Sequence, residues 1–383
     1  MPQVSFESRS VNHLLLAQFC RRLFEAAGLD PNDAALVVDT LVESDLRGVT
    51  SHGVSRIPHY LGRIRLGGIN RRPQITAQIL GPSAARIDGD HGLGQLTMHR
   101  AALSAIELAG ESGAGWVTVC NSSHCGALAY YGLKIADAGM IGLVFTHVDP
   151  MVVPFGAKAA FSGTNPICIT APRASRGANE RPTGALCLDM ATSKAPWNAV
   201  ANAAREGVAI PAGWAVDAEG DETTDPNCVA AMMPVGEYKG SGLGLMIDVL
   251  CSLLSNSPFG PDIPKMYSND LSQHRRLGGM VGAIDIGRFV PLAQFHARVA
   301  QMIERLGALP PAAPGGEILF PGEPELRQRE RRLKEGIPLG IHTLEELDRL
   351  AVGFGLEPLD GRCVSQTILA GPHVLQHAGK AAP

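Results

Sequence analysis

Five short apolar or β-branched runs, Ala84 to Asp88, Trp116 to Cys120, Ile141 to Thr146, Ile167 to Ala171 and Leu186 to Met190, are separated by glycines and by stretches of helical spacing. This interleaving constrains the fold most, because a strand's period of two and a helix's period of about 3.6 cannot share one element. Strands are expected at the five runs and helices at Thr97 to Glu111, Leu128 to Ala138 and Gly242 to Leu254, so the middle of the chain reads as mixed α and β. The first seventy residues read differently. Leu15, Leu16, Phe19, Leu23 and Phe24 repeat at three and four and the run stops near Gly28. Asp30-Pro31 starts a second helix, with Ala35, Val38, Val42 and Leu46 on one face and an end near Gly48. A third helix is expected through Tyr60 to about Arg65.

With 383 residues the chain exceeds one typical hydrophobic core, so two packed units are expected. Arg173 to Thr183 reads as an exposed loop, Leu309 to Gly316 as a linker, Glu323 to Lys334 as a charged helix and the last thirty residues as a loosely held tail. A net charge of -4 with no Lys/Arg-rich run argues against nucleic acid as a partner. No apolar run is long enough for a membrane helix and the start does not read as a secretory signal. Eight scattered cysteines without CxxC spacing read as reduced thiols in a cytoplasm, and no HExxH or close His/Asp/Glu cage suggests a metal.

Five constellations carry polar chemistry. In Ser51-His52-Gly53-Val54-Ser55-Arg56-Ile57-Pro58-His59-Tyr60, a spacing of four puts His52, Arg56 and Tyr60 on one helix face, where Arg suits a carboxylate, although Pro58 argues against an unbroken helix. The same spacing also fits a solvated face with an ion-paired arginine. Asn121-Ser122-Ser123-His124-Cys125-Gly126 places His124 in a turn after a strand, where it either meets a ligand or bonds to nearby backbone. Asp189, in Leu186-Cys187-Leu188-Asp189-Met190-Ala191-Thr192-Ser193, either orients a histidine or caps the next helix. Gly163-Thr164-Asn165-Pro166 is a turn whose side chains can reach a ligand. Tyr238-Lys239-Gly240-Ser241-Gly242 opens a helix as a natural pyrophosphate site. Neither GxGxxG nor GxxxxGK[ST] occurs in a fitting context, which argues against a Rossmann unit and a P-loop.

In this order the segments SDLRGVTSHGVSRIPHY, NSSHCGA, GTNP, DMATS, IPAGWAVD, TTDP and KGSGLGLMIDVL resemble the type-2 malate/L-lactate dehydrogenase family of non-Rossmann NAD(P)H oxidoreductases, from roughly His13 to Leu339. Within it the chain is most similar to the ureidoglycolate dehydrogenase subfamily, through DPMVVPFG, Pro258-Phe259-Gly260, Met266-Tyr267 and Arg276-Leu277-Gly278. It departs at His147, Val148 and Ala157, where that subfamily tends to carry Asn, Ser and Gly.

The resemblance implies an α+β fold: a large mixed β-sheet domain with flanking helices (73–290), and a helical domain built from both termini (1–72 and 291–383, the latter ending in the tail). It implies a homodimer, NAD or NADP as cofactor, and hydride transfer at the 2-position of a small 2-hydroxy or 2-oxo carboxylate. The directions left open are ureidoglycolate oxidation, malate or lactate oxidation, and keto-acid or cyclic-imine reduction; a non-catalytic ligand-binding homodimer is the remote rival. Carried over by residue, His124 and His52 are rivals for the acid/base role, Ser51 and Asp189 complete a relay with His52, Arg56 holds the carboxylate, and Tyr60 and Thr164 border the substrate. Val148, Asp189, Met190, Ala191, Lys239, Gly240, Gly322, Glu323 and Pro324 match cofactor contacts.

Overall fold

The computed structural model describes residues 8–174 and 184–359. Most of the expected Arg173 to Thr183 loop and most of the expected tail therefore lie outside the described residues. Helices α1 (His13–Ala26) and α2 (Pro31–Leu46) start where the sequence provides caps: Asn12 Oδ1 accepts from the Leu14 and Leu15 N–H groups, and Asp30 Oδ1 from that of Asn32. Pro31 occupies the first turn, where a missing N–H costs nothing. Strand β1 (Ser8–Val11) pairs antiparallel with β12 (Ile337–Gly340), and α10 (Ile341–Gly353) follows it. Leu16, Phe24 and Leu41 then share one core with Ile57, Leu344 and Leu347, so the two ends of the chain close a single helical core. The charged helix α9 (Glu323–Glu335) lies against α2 through Arg329 and Glu43, 2.8 Å apart, while α8 (Leu292–Gly307) gives no residue to that core.

The second core surrounds a sheet of β2 (Thr76–Gly81), β3 (Ala84–Asp88), β4 (Ala114–Ser122), β5 (Met140–Thr146), β6 (Ile167–Ala171), β7 (Leu186–Met190) and β11 (Leu277–Asp285). Their order is β2-β3-β4-β11-β5-β6-β7, and β3 with β4 is its one parallel pair. A Rossmann sheet is mostly parallel, so this predominantly antiparallel sheet is a different fold. Helices α4 (Gly94–Ser112) and α5 (Ala129–Asp137) cover one face through Met98, Ala101, Ala105 and Ile135. On the other face α7 (Tyr238–Asp248) runs into a π turn, and Ile247 and Cys251 meet Phe145 and Met280. A smaller unit holds α6 (Trp197–Glu206) and the two-residue strands β8 (Ala215–Val216), β9 (Glu222–Thr223) and β10 (Ala231–Met232). Among the described residues no helix is long and apolar enough to cross a membrane.

Central strand β11 was not expected, and its glycines explain why. A Cβ on Gly278 would stand 1.9 Å from the Cys251 carbonyl oxygen, and one on Gly282 2.4 Å from the Trp116 ring. Glycine here permits close approach of neighbouring backbone and rings, although its propensity argues against a strand.

Candidate active site

The segment from Thr50 corrects the expectation of one helix. Thr50–His52 and Val54–Arg56 are separate single 3-10 turns, and α3 begins only at Ile57 (Ile57–Leu66). Pro58 thus sits in the first turn of α3, where it is tolerated. Asp45 from α2 organises the break: its Oδ2 accepts from the Val54 N–H at 2.8 Å, and it lies so close that a Cβ on Gly53 would be 2.0 Å from Oδ1.

The broken segment still gathers His52, Arg56 and Tyr60, and the turn after β4 brings His124 to them. The His52 and His124 rings stack at 5.5 Å with 19° between planes. Ser51 Oγ is 2.8 Å from His52 Nδ1, and Tyr60 Oη is 2.6 Å from His124 Nδ1, a nitrogen also approached by the Gly126 N–H at 3.4 Å. The Arg56 guanidinium is pinned: Nε donates to the Ser51 carbonyl at 2.6 Å and Nη1 to the Tyr267 hydroxyl. With Nε engaged, the edge left for a carboxylate is the end-on one formed by the two terminal nitrogens.

Burial, and then the charge of Arg56, push the His52 pKa down to about 4. Burial, then His52, Arg56, Arg275 and His59, hold His124 well below the usual imidazole value. Both rings are therefore neutral at pH 7, and protonating one opposes protonating the other. Because the neutral form is the one that accepts a proton, the acid limb of kcat/KM for alcohol oxidation is expected well below the ~6.5 of a free imidazole. Arg56→Met removes one depressing charge, so the limb should move towards neutral pH; a pH–rate profile of both proteins checks this.

The strap that carries Tyr267 is fixed from below. Arg63, 1% exposed, donates to the carbonyls of Lys265, Met266 and Gln273. Arg275, equally buried, pairs with Asp149 at 2.5 Å, and Asp149 Oδ2 also accepts from the Met266 N–H. Arg275→Met leaves Asp149 as an unpaired buried charge. It is expected to cost about 3–5 kcal/mol of folding stability, read from the urea midpoint.

A second group of segments converges on the end of β7. The Cys187 N–H donates to the Pro321 carbonyl, the Thr192 N–H to the Thr164 carbonyl and the Val235 N–H to the Thr192 carbonyl. This brings Asp189, Met190 and Ala191 beside Gly322, Glu323 and Pro324 on one side and the start of α7, with Lys239 and Gly240, on the other. Val148 adjoins the same group, its N–H donating to Asn165 Oδ1 at 3.3 Å. The backbone fit is tight, since a Cβ on Gly240 would stand 1.9 Å from the Val235 oxygen and one on Gly322 2.9 Å from the Cys187 Cβ. Neither α7 nor α9 has a side-chain cap at its start, and Lys239 has no ion pair among the described residues. The uncapped start of α7 beside Lys239 suits a diphosphate, while Glu323 and Glu325 in the first turn of α9 suit hydroxyl donors, so these residues fit a dinucleotide.

Asp189 corrects a sequence expectation. Its Oδ2 accepts from the Ala129 N–H at 2.7 Å at the start of α5, and no hydrogen bond among the described residues joins it to either imidazole. It caps α5, which precedes it in the chain, and neither the next helix nor His52 is its partner among the described residues. Burial raises its pKa to about 6, against the lowering effect of that N–H. Thr164 likewise has no bond to Arg56 or the rings among the described residues; its carbonyl holds Thr192.

A family model for malate/L-lactate dehydrogenase matches residues 11–348. The chain belongs to the malate/L-lactate dehydrogenase family. Malate dehydrogenase of Pyrococcus horikoshii is 38% identical over 354 residues, covering 90% of this chain and 95% of that protein. Ureidoglycolate dehydrogenase (NAD(+)) of Escherichia coli K12 is 36% identical over 313 residues, covering 82% of this chain and 87% of its own. The structure of sulfolactate dehydrogenase from Methanocaldococcus jannaschii superimposes with a TM-score of 0.83 at 31% identity, covering 92% of this chain and 99% of that one.

As a member of this dehydrogenase family the protein is an oxidoreductase acting on CH–OH groups. Sequence reasoning assigned no role to Tyr267, Arg275 or Asp149. Asp149 and Tyr267 stand within segments that carry the family resemblance, but only the fold shows Tyr267 on Arg56 and Arg275 on Asp149.

Proposed function

We propose that this dehydrogenase oxidises a small 2-hydroxy carboxylate, or reduces its 2-oxo form, with NAD or NADP. The observation that carries this is the pinned Arg56 edge beside two stacked neutral imidazoles. The substrate carboxylate docks on the two terminal nitrogens of Arg56, which sets its 2-hydroxyl towards the histidine pair. The nicotinamide, when bound, accepts or supplies the hydride. Lys239, Gly240, Met190, Ala191, Gly322, Glu323 and Pro324 would hold the dinucleotide, with Val148 flanking them.

His124 holds the reacting proton at Nε2, and Tyr60 sets its tautomer. In oxidation, Nδ1–H donates to Tyr60 Oη and leaves Nε2 free to accept the hydroxyl proton. In reduction the ring starts protonated, Nδ1–H still donates to Tyr60 Oη, and the proton on Nε2 passes to the alkoxide oxygen that forms as hydride arrives. His52, oriented by Ser51, is the rival for this role and otherwise keeps His124 neutral by lying against it.

The substrate reading we favour is a ureidoglycolate-like 2-hydroxy acid, because the DPMVVPFG stretch and the strap at Met266-Tyr267 match that subfamily. Malate is the second reading, carried by the 38% identity of its dehydrogenase relative. Oxidation of ureidoglycolate, malate, sulfolactate and lactate, beside reduction of their 2-oxo forms and a cyclic imine, with each cofactor, decides among them. Turnover of at least one 2-hydroxy acid is expected. Absence of both turnover and saturable NADH fluorescence would leave a non-catalytic protein. A cytoplasmic homodimer is part of the proposal, supported by unpaired buried thiols such as Cys20 and Cys168 and by exposed apolar residues after α7, Leu253 and Leu254.

A further inference from the structure

A cavity of about 530 Å³ is lined by Arg65, Asn70, Arg71, Asp90, His91 and His274 among others, and none of the cofactor segments contributes to its lining. Its volume suits a small metabolite. Behind it the chain makes a turn closed by the Gly92 N–H on the Gly89 carbonyl, with Asp90 and His91 both left-handed at φ 46° and 57°. Two consecutive non-glycine residues in that region are strained, and such strain persists only where surrounding bonds enforce it. Asp90 Oδ2 accepts from Asn70 Nδ2 and the Gln74 N–H, both at 2.9 Å, and the His91 N–H donates to the Asn121 carbonyl at 2.8 Å.

The product of this strain is a face-to-face stack of His91 on His274, at 3.9 Å and 6°. His91 Nδ1 is buried without a hydrogen-bond partner among the described residues. Arg65 and Arg71 stand on the same wall, and neither has a carboxylate partner among the described residues. The one lining carboxylate, Asp90, is held by two N–H donors and keeps its charge, which the two guanidiniums outnumber. Two guanidiniums and two proton-accepting rings around open space are complementary to concentrated negative charge.

We propose that this cavity is a binding site for a compact polyanion, a diphosphate or a tricarboxylate, separate from the catalytic cleft. Burial and the neighbouring His274 and Arg276 disfavour charge on His91, whereas Asp88 and Asp90 favour it. An arriving polyanion tips that balance towards protonation, so binding tightens as pH falls.

The test is calorimetric titration of the full chain with inorganic pyrophosphate and, separately, citrate, at about pH 6 and about pH 8. One saturable site per chain is expected, at least about ten-fold weaker at the higher pH. It should weaken at least about ten-fold in Arg65→Ala/Arg71→Ala and in His274→Ala, with unchanged melting temperature. A response to pyrophosphate alone assigns a phosphoanhydride ligand, and one to citrate alone a tricarboxylate. The proposal is overturned by no saturable heat with either anion, by affinity independent of pH, or by heat that survives the arginine substitutions and vanishes in Lys239→Ala, which would place the anion in the cofactor cleft.

Discussion

His124→Ala is expected to lower kcat by about 10²–10⁴-fold, the usual worth of a positioned acid/base, while affinity for the dinucleotide stays nearly unchanged. The size follows from the ring's isolation. His124 is half-buried, Tyr60 and Gly126 address its Nδ1, and no hydrogen bond among the described residues uses its Nε2. His52→Ala discriminates between the rivals. If His124 carries the proton, losing His52 removes a stacking partner and one cause of the low His124 pKa. The loss in kcat should then be smaller and the acid limb should rise. If His52 carries it, the ranking of the two variants inverts, and near-full turnover in both would end the acid/base account.

Arg56→Met should leave the fold in place and raise KM steeply, with a fall in kcat/KM corresponding to about 2–5 kcal/mol, the cost of truncating one side of a hydrogen-bonded charge pair away from water. Arg56→Lys should recover little, because an ammonium cannot bond the Ser51 carbonyl and the Tyr267 hydroxyl while presenting two parallel donors. Initial rates over a range of substrate concentration, with cofactor saturating, separate the KM effect from kcat.

Much of the fold was legible because local signals agreed with the global answer. Asp30-Pro31 before an apolar stripe gave α2, and the runs at Ile167 and Leu186 gave β6 and β7 residue for residue. The central strand was illegible because Gly278, Gly279 and Gly282 serve close packing that only the folded neighbours reveal. In the site, a spacing of four drew attention to His52, Arg56 and Tyr60 for the wrong geometric reason. They converge because Asp45 breaks the segment into turns, not because they share a helix face. Asp189 was singled out by its place at a strand end, but the sequence could not say whether its partner would be an imidazole or a helix N-terminus. Tyr267 lies 211 positions from the arginine it fixes, a separation at which no local pattern carries information.

The most direct test of the carboxylate fork pairs a change in the protein with a change in the substrate. Wild-type and Arg56→Met enzyme are each assayed with the preferred 2-hydroxy acid and with its uncharged amide. Wild-type kcat/KM is expected to favour the acid by about 100-fold or more and Arg56→Met nearly to abolish the preference, since the two changes remove one shared interaction. Undiminished preference for the acid in Arg56→Met would show that the carboxylate is held elsewhere.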